Sequence, residues 1–344
     1  MKTNIILKTS LLLTALLLMV WSESAVAQSV NAGTSGAQFL KINAGARAEA
    51  MGGAFAGSAN DATALFWNPA GITQVERGSV SFTNIPWWAD VEINQFAAAL
   101  SAGNLGVFGL SVISLSVPEQ EITTVDQPDG TGRFFDANDL MVGVSYARKL
   151  LPQFSVGVSA KYVSQQIWNQ RAGALAFDIG TQYNFGYRNL TLGMTVSNFG
   201  PDMQYSGSDL AFFVPDRNDP TQPPGRRALA NLETLGFPLP LHFQVGAVMD
   251  AIDTRYLLWR VAADLKNPSD NYEMLSFGTE LEFKLEFASV FGRGGYTFNN
   301  PDQKWSVGTG LMIDLSGYNV YVDYSWSEHE YLPGIQRLSV SLSF

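Results

Sequence analysis

From Gly78 onward the sequence alternates between apolar and small or polar residues in about fourteen runs, most of them about ten residues long. In Ala174–Tyr183, Leu175, Phe177, Ile179 and Tyr183 share one face, and Ala174, Ala176, Asp178, Gly180 and Gln182 share the other. In Trp305–Leu315, Trp305, Val307, Leu311, Ile313 and Leu315 oppose Ser306, Gly308, Gly310 and Asp314. In Tyr318–Trp326, Tyr318, Val320, Val322, Tyr324 and Trp326 oppose Asn319, Asp323 and Ser325. A period of two belongs to a strand whose faces meet different surroundings. Strands of soluble sandwiches usually run to about five or six residues, whereas a strand tilted by about 45° needs about ten to cross the hydrocarbon core of a membrane. The pattern predicts an all-β fold, an antiparallel transmembrane β-barrel of about fourteen strands over residues 78–344.

The connections point the same way. Those after even-numbered runs are short, as at Gly103, Leu285 and Ser316, while residues 118–138 and 200–237 after odd-numbered runs are long and rich in Pro, Gly, Asp and Asn. Short turns on the periplasmic side and longer loops outside are the habit of outer-membrane barrels. The last run sets Leu338, Val340, Leu342 and Phe344 against Arg337, Ser339, Ser341 and Ser343. It is similar to the terminal strand by which such barrels are recognised for insertion, which makes Phe344 the expected insertion signal.

The N-terminus reads as an export signal over residues 1–27: Lys2 and Lys8, an apolar stretch from Leu11 to Trp21, then Ala25-Val26-Ala27. The remainder has no run approaching the ~18 apolar residues of a membrane-spanning helix. The chain has no Cys, so disulfides and thiolate metal sites are out of reach. Its formal net charge of −10 argues against nucleic acid as a partner.

If the apolar faces meet lipid, the other faces line the lumen, since a charge facing lipid at the midplane costs about 2–4 kcal/mol. The charges expected in the lumen are Lys161, Asp178, Arg260, Asp264, Glu280, Glu282, Arg293, Asp314 and Asp323. Strict alternation from Phe287 would turn Arg293 toward lipid. The glycines of Phe291–Gly295 are therefore expected to form a β-bulge that returns it to the lumen, with a side opening in the wall as the alternative.

Residues 28–77 differ from the rest. They are rich in Gly and Ala and hold two short helical possibilities, Ala46–Met51 and Asp61–Trp67, with Asn60 or Asp61 as the second helix's N-cap. Gly52-Gly53 breaks the first helix, and Asn68-Pro69 ends the second. A barrel of about fourteen strands is too wide for its wall side chains to fill. This segment is therefore expected to plug the lumen from the periplasmic side.

Gly45, Arg47, Met51-Gly52-Gly53-Ala54-Phe55, Asp61 and Asn68-Pro69-Ala70-Gly71 carry a resemblance. The stretch Gly45–Ile72 resembles the N-terminal signature of PorV/PorQ-type proteins, a branch of the FadL-like long-chain fatty-acid transporter superfamily. The resemblance implies a fourteen-stranded outer-membrane barrel with an N-terminal hatch. For the PorV branch it implies a non-enzymatic role in type IX secretion, with secretion-system proteins and sorting-domain cargo as partners besides outer-membrane lipid. For the fatty-acid branch it implies uptake of a hydrophobic ligand, in a pocket between plug and wall that would involve Phe55, Leu65, Phe66 and Trp67.

Nothing in the sequence points to a catalytic, cofactor or metal site. His242 and His329 are the two imidazoles, neither within a recognisable triad motif. The stretch at 126–132 lacks the spacing of an EF-hand and reads as a turn. Trp87 and Trp88 are expected in the interfacial aromatic girdle.

Overall fold

A computed structural model describes residues 32–215 and 227–344. The expected export signal, residues 1–27, lies outside the described residues. Fourteen antiparallel strands form one closed wall: β1 Gly78–Pro86, β2 Glu92–Ser101, β3 Val107–Glu121, β4 Phe134–Leu151, β5 Phe154–Ile167, β6 Gln170–Asn184, β7 Thr191–Phe199, β8 His242–Asp253, β9 Leu257–Pro268, β10 Met274–Lys284, β11 Ala288–Phe298, β12 Trp305–Asp314, β13 Asn319–Ser327 and β14 Ile335–Ser343. Each pairs with its sequence neighbour, and β1 closes on β14 in the register Ser79↔Ser343 to Asn84↔Leu338. The seam continues past β14, where Gly78 and Phe344 exchange both backbone hydrogen bonds at 2.9 Å. Closure leaves the wall no unpaired edge, which hydrocarbon requires of any β structure that spans it.

The alternation seen in the sequence sorts the wall into two faces. Phe82, Val144, Leu175, Ile179 and Val340 are exposed on the outside, while Ser81, Ser145, Ser159, Thr195 and Ser339 are buried inside. Aromatic rings band both ends of the outer face. Phe108, Tyr146, Phe154 and Tyr183 stand at the short-turn end, and Tyr296, Phe298 and Trp305 at the long-loop end. These are the girdles expected where a barrel meets the two membrane interfaces. No helix among the described residues is long and apolar enough to cross a membrane.

Two expectations are corrected here. The glycine-rich stretch of β11 holds no bulge, because its register against β10 and β12 runs unbroken. Ser289, Phe291, Arg293, Gly295 and Thr297 all face inward. The error lay in the phase: Phe287 precedes the strand, and Phe291 is an inward aromatic lying under the Arg293 guanidinium at 4.7 Å. The loop expected at 118–138 is also shorter, because β3 and β4 run on past an irregularity between Val117 and Gln120. The long loop after β7 carries a two-stranded hairpin, Ala211–Pro215 with Arg227–Asn231.

Residues 44–75 pack against the inward face of the wall. The N-terminal segment contains two short helices, α1 Ala46–Ala50 and α2 Ala64–Trp67, followed by a 3-10 turn over Pro69–Gln74. Asn68 is extended (φ −152, ψ 102), as a residue before proline should be. Its side chain then accepts from the Ala70 amide at 3.2 Å and caps the turn. The second helix begins at Ala64, with Asp61 accepting from the Thr63 amide at 2.8 Å just ahead of it.

Candidate functional site

Small residues on both partners let backbone meet backbone. A Cβ added to Gly180 would overlap Asn68, one at Gly193 would overlap the Ala56 carbonyl, and one at Gly295 would overlap Gly52. Gly52 and Gly53 both have positive φ (67 and 75), so the chain turns sharply where it touches β10 and β11. Met51, Ala54, Phe55, Ala70 and Ile72 are fully buried in this contact. Asn68 Nδ2 donates to Ala56 O at 2.9 Å and to Thr181 O at 3.0 Å, which ties the segment to itself and to β6. Gly45 opens the first helix at positive φ, and its amide donates to Gln95. Pro69 and Gly71 close against Gly157 and Ala59.

The inward charges form discrete clusters. Glu280 is the hub of the largest. It accepts from Arg47 Nε (2.9 Å) and Nη2 (3.1 Å), Arg260 Nη1 (3.0 Å) and Arg293 Nε (2.7 Å). Each arginine has a second acid: Asp61 at 3.3 Å for Arg47, Asp250 at 3.1 Å for Arg260, and Asp323 at 2.6 Å for Arg293. Arg47 also lies over the Phe55 ring at 5.3 Å. One carboxylate thus joins three strands to the N-terminal segment. Asp264 binds the same segment differently, accepting from the amides of Phe55 (3.0 Å) and Ala56 (2.8 Å) and from Gln244. Lys161 pairs with Asp178 at 2.7 Å on the far side of the lumen. Glu282 accepts from Ser289, and Asp314 keeps the inward parity but stands exposed at the short-turn rim.

Two further pairs were absent from the reading of the sequence. Glu49, fully buried, pairs with Arg337 at 3.0 Å and accepts from Gln303 at 2.6 Å. Lys41 meets Asp270 at 3.1 Å in the loop between β9 and β10. Burial alone would raise the Asp270 carboxyl, but hydrogen bonds from Ser35, Gln38 and Lys41 hold it below its ordinary value. Residues 35–41 are thereby fastened at the long-loop end, so the segment runs from the outer mouth down to the short-turn end before entering β1.

A cavity of about 920 Å³ lies at that outer end. Its floor includes Gly52, Gly53 and Trp67, its sides Lys41, Lys266, His242 and Gln244, and its mouth Trp87, Trp88, Phe237 and His329. Of the four residues expected around a pocket, Trp67 lines this cavity, Phe55 and Leu65 are sealed in the packed core below it, and Phe66 is half-buried against that core and does not line the cavity. Trp87 and Trp88 turn into the mouth, which corrects their expected place in the lipid-facing girdle. Trp88 lies 4.7 Å from the His329 ring, edge-on, and donates from Nε1 to Pro333 O. Burial lowers the pKa of His329 below its ordinary value.

Comparison with known proteins agrees with this architecture. No curated protein matches the chain. Among solved structures, it is similar to a TodX deltaS2S3 mutant monoaromatic hydrocarbon channel (13% identity, 88% of this chain and 98% of that one, TM-score 0.55). It is also similar to the CymD monoaromatic hydrocarbon channel (11%, 88% and 98%, 0.53) and to a FadL homologue from Pseudomonas aeruginosa (12%, 87% and 96%, 0.50). At such identities the likeness establishes the fold. The family model described as "Type IX secretion system protein PorV" matches residues 25–218, more than half of the chain and all of the segment that packs inside the wall. The chain is an outer-membrane β-barrel and belongs to the PorV family of type IX secretion proteins.

Proposed function

We propose that this barrel is a non-enzymatic carrier in type IX secretion, one that takes sorting-domain cargo from the translocon and hands it to a surface attachment complex. The observation that carries this reading is the asymmetry of the lumen. Residues 44–75 are packed against the wall below, while the outer mouth keeps a cavity walled by aromatic side chains and framed by long loops. Such a lumen suits holding a partner at the outer face better than passing one through. In this reading residues 28–77 are the plug, fastened by Arg47 on Glu280 and by Asp264 on the Phe55 and Ala56 amides. The test is affinity capture of the tagged protein from outer membranes. Recovery of translocon subunits or sorting-domain proteins is expected, and their absence under conditions that keep the barrel folded would overturn the reading.

A second reading, a channel for hydrophobic solutes, is favoured by the likeness to the hydrocarbon channels. It requires the packed segment to move, because Phe55 and Leu65 fill the space below the cavity. Loss of apolar-solute uptake on deletion of the gene, with secretion intact, would select it.

A further inference from the structure

The seam between the first and last strands is held differently from the other seams of the wall. Thr83 and Ser339 share a hydrogen bond at 2.7 Å, Ser341 donates to Ser81 at 2.8 Å, and Ser343 donates to Ser79 at 3.4 Å, all on the inward face. Among the described residues no other pair of adjacent strands is joined by more than one hydroxyl–hydroxyl bond. Strands β4 and β5 have Ser145 with Ser159, and β10 and β11 have Ser276 with Thr297. The N-terminal segment binds hydroxyls of the same seam. The Ala46 amide donates to Ser339 on β14 at 2.8 Å, and the Ala62 amide donates to Ser79 on β1 at 3.2 Å. Gly45 and Ala46 are consecutive, yet the first donates to Gln95 on β2 and the second to β14, so two neighbouring amides reach across β1. Helix α1 adds the buried pair of Glu49 with Arg337 at 3.0 Å, again on β14. A hydroxyl both donates and accepts, so one serine can serve the segment and the opposite strand together.

Closure is the hardest pairing of this fold. Every other pair of wall strands is consecutive in the chain, whereas Ser79 and Ser343 stand 264 residues apart. Loop-closure entropy grows with that separation, and such non-local pairings form slowly. Until they form, two unpaired edges face hydrocarbon. The segment that touches β14 leads directly into β1, since its last turn ends at Gln74 and the strand opens at Gly78. A strand captured on the segment is therefore delivered beside β1. We propose that residues 45–62 are an internal template for barrel closure, which captures β14 through Ser339 and Arg337 and sets it in register on β1. This is a folding role that needs no partner, so its failure leaves the secretion reading untouched.

The chain has no Cys, so introduced cysteine pairs report single seams. Val80→Cys with Leu342→Cys, directly opposed, reports the β1–β14 seam, and Val142→Cys with Tyr162→Cys, also opposed, reports β4–β5. The chain without residues 1–27 is unfolded in urea and diluted into phospholipid vesicles, and cross-linking by a bifunctional thiol reagent is sampled over time. Opening is read separately, as loss of cross-linkable protein when closed barrels are returned to urea. Ser339→Ala should slow closure of the β1–β14 seam by roughly fivefold, and Glu49→Gln by roughly tenfold or more, the effects of a neutral and a charged hydrogen bond already present when the seam forms. The β4–β5 rate should stay as in the wild type. Ser341→Ala removes a seam hydroxyl that has no bond to the segment and should slow closure by about twofold or less. If Glu49→Gln fails to insert, Ser339→Ala against Ser341→Ala still decides. A segment that docks only on a finished barrel leaves the closing rates unchanged and raises only the opening rates. That result overturns the proposal, as does equal slowing by Ser339→Ala and Ser341→Ala.

Discussion

Glu280→Gln removes one charge and almost no volume, and its effect follows from the cluster around it. The glutamate accepts four hydrogen bonds from three guanidinium groups. Arg260 and Arg293 keep Asp250 and Asp323 when it goes, so the wall retains its own pairs. Arg47 keeps only Asp61 and Asn60, both in its own segment. What is lost is the ionic tie of Arg47 to the wall, at a site where Glu280 is 1% exposed, while Glu49 keeps Arg337. Breaking a buried pair on one side costs about 3–5 kcal/mol, and each ~1.4 kcal/mol is a factor of ten in an equilibrium. Local opening of residues 46–57 should therefore rise by roughly 10² to 10⁴-fold. Hydrogen exchange read by mass spectrometry on the folded barrel measures this directly. Exchange should accelerate in peptides covering Ala46–Gly57 and stay as it was in β3 to β5. Unchanged exchange in 46–57 would refute the idea that Glu280 is the tie.

Three other outcomes follow from contacts described above. Gly193→Leu places a side chain where the Ala56 carbonyl sits and should raise ion conductance across planar bilayers. Gly292→Leu, on the outward face with open space around it, should leave conductance as in the wild type. The folded Asp270 carboxyl titrates below its ordinary 3.8, so its hold on residues 35–41 is present above that value and is lost as pH falls through the lower folded value. Asp270→Asn should accordingly speed exchange in residues 35–41 at pH 7 and add little in strong acid, which exchange at two pH values will show. Burial depresses His329, so protonation that quenches the adjoining Trp88 should have a midpoint below 6.5 and vanish in His329→Gln. A fluorescence midpoint at or above 6.5 would count against the packed ring.

The wall was legible because hydrocarbon enforces one rule on every residue of every strand. Phe177 and Asp178 could be assigned to opposite faces from their neighbours alone, and both stand there. The rule failed where an inward residue was aromatic. Phe291 belongs to the lumen because the guanidinium of Arg293 lies over its ring, a reason that parity counted from Phe287 had no means to supply. Parity also says which way a charge points and nothing about what it meets. Arg260 and Asp264 share the inward face of β9, yet Arg260 goes to Asp250 and Glu280, while Asp264 goes to the amides of Phe55 and Ala56. Glu49 was invisible as a partner for Arg337 because the two stand near opposite ends of the chain. Lys266 was within reach of the same reasoning, two residues beyond Asp264 on the same parity. It lines the outer cavity, where Glu49, Asp264 and Asp270 all attract it, a set of neighbours that parity along one strand does not reveal.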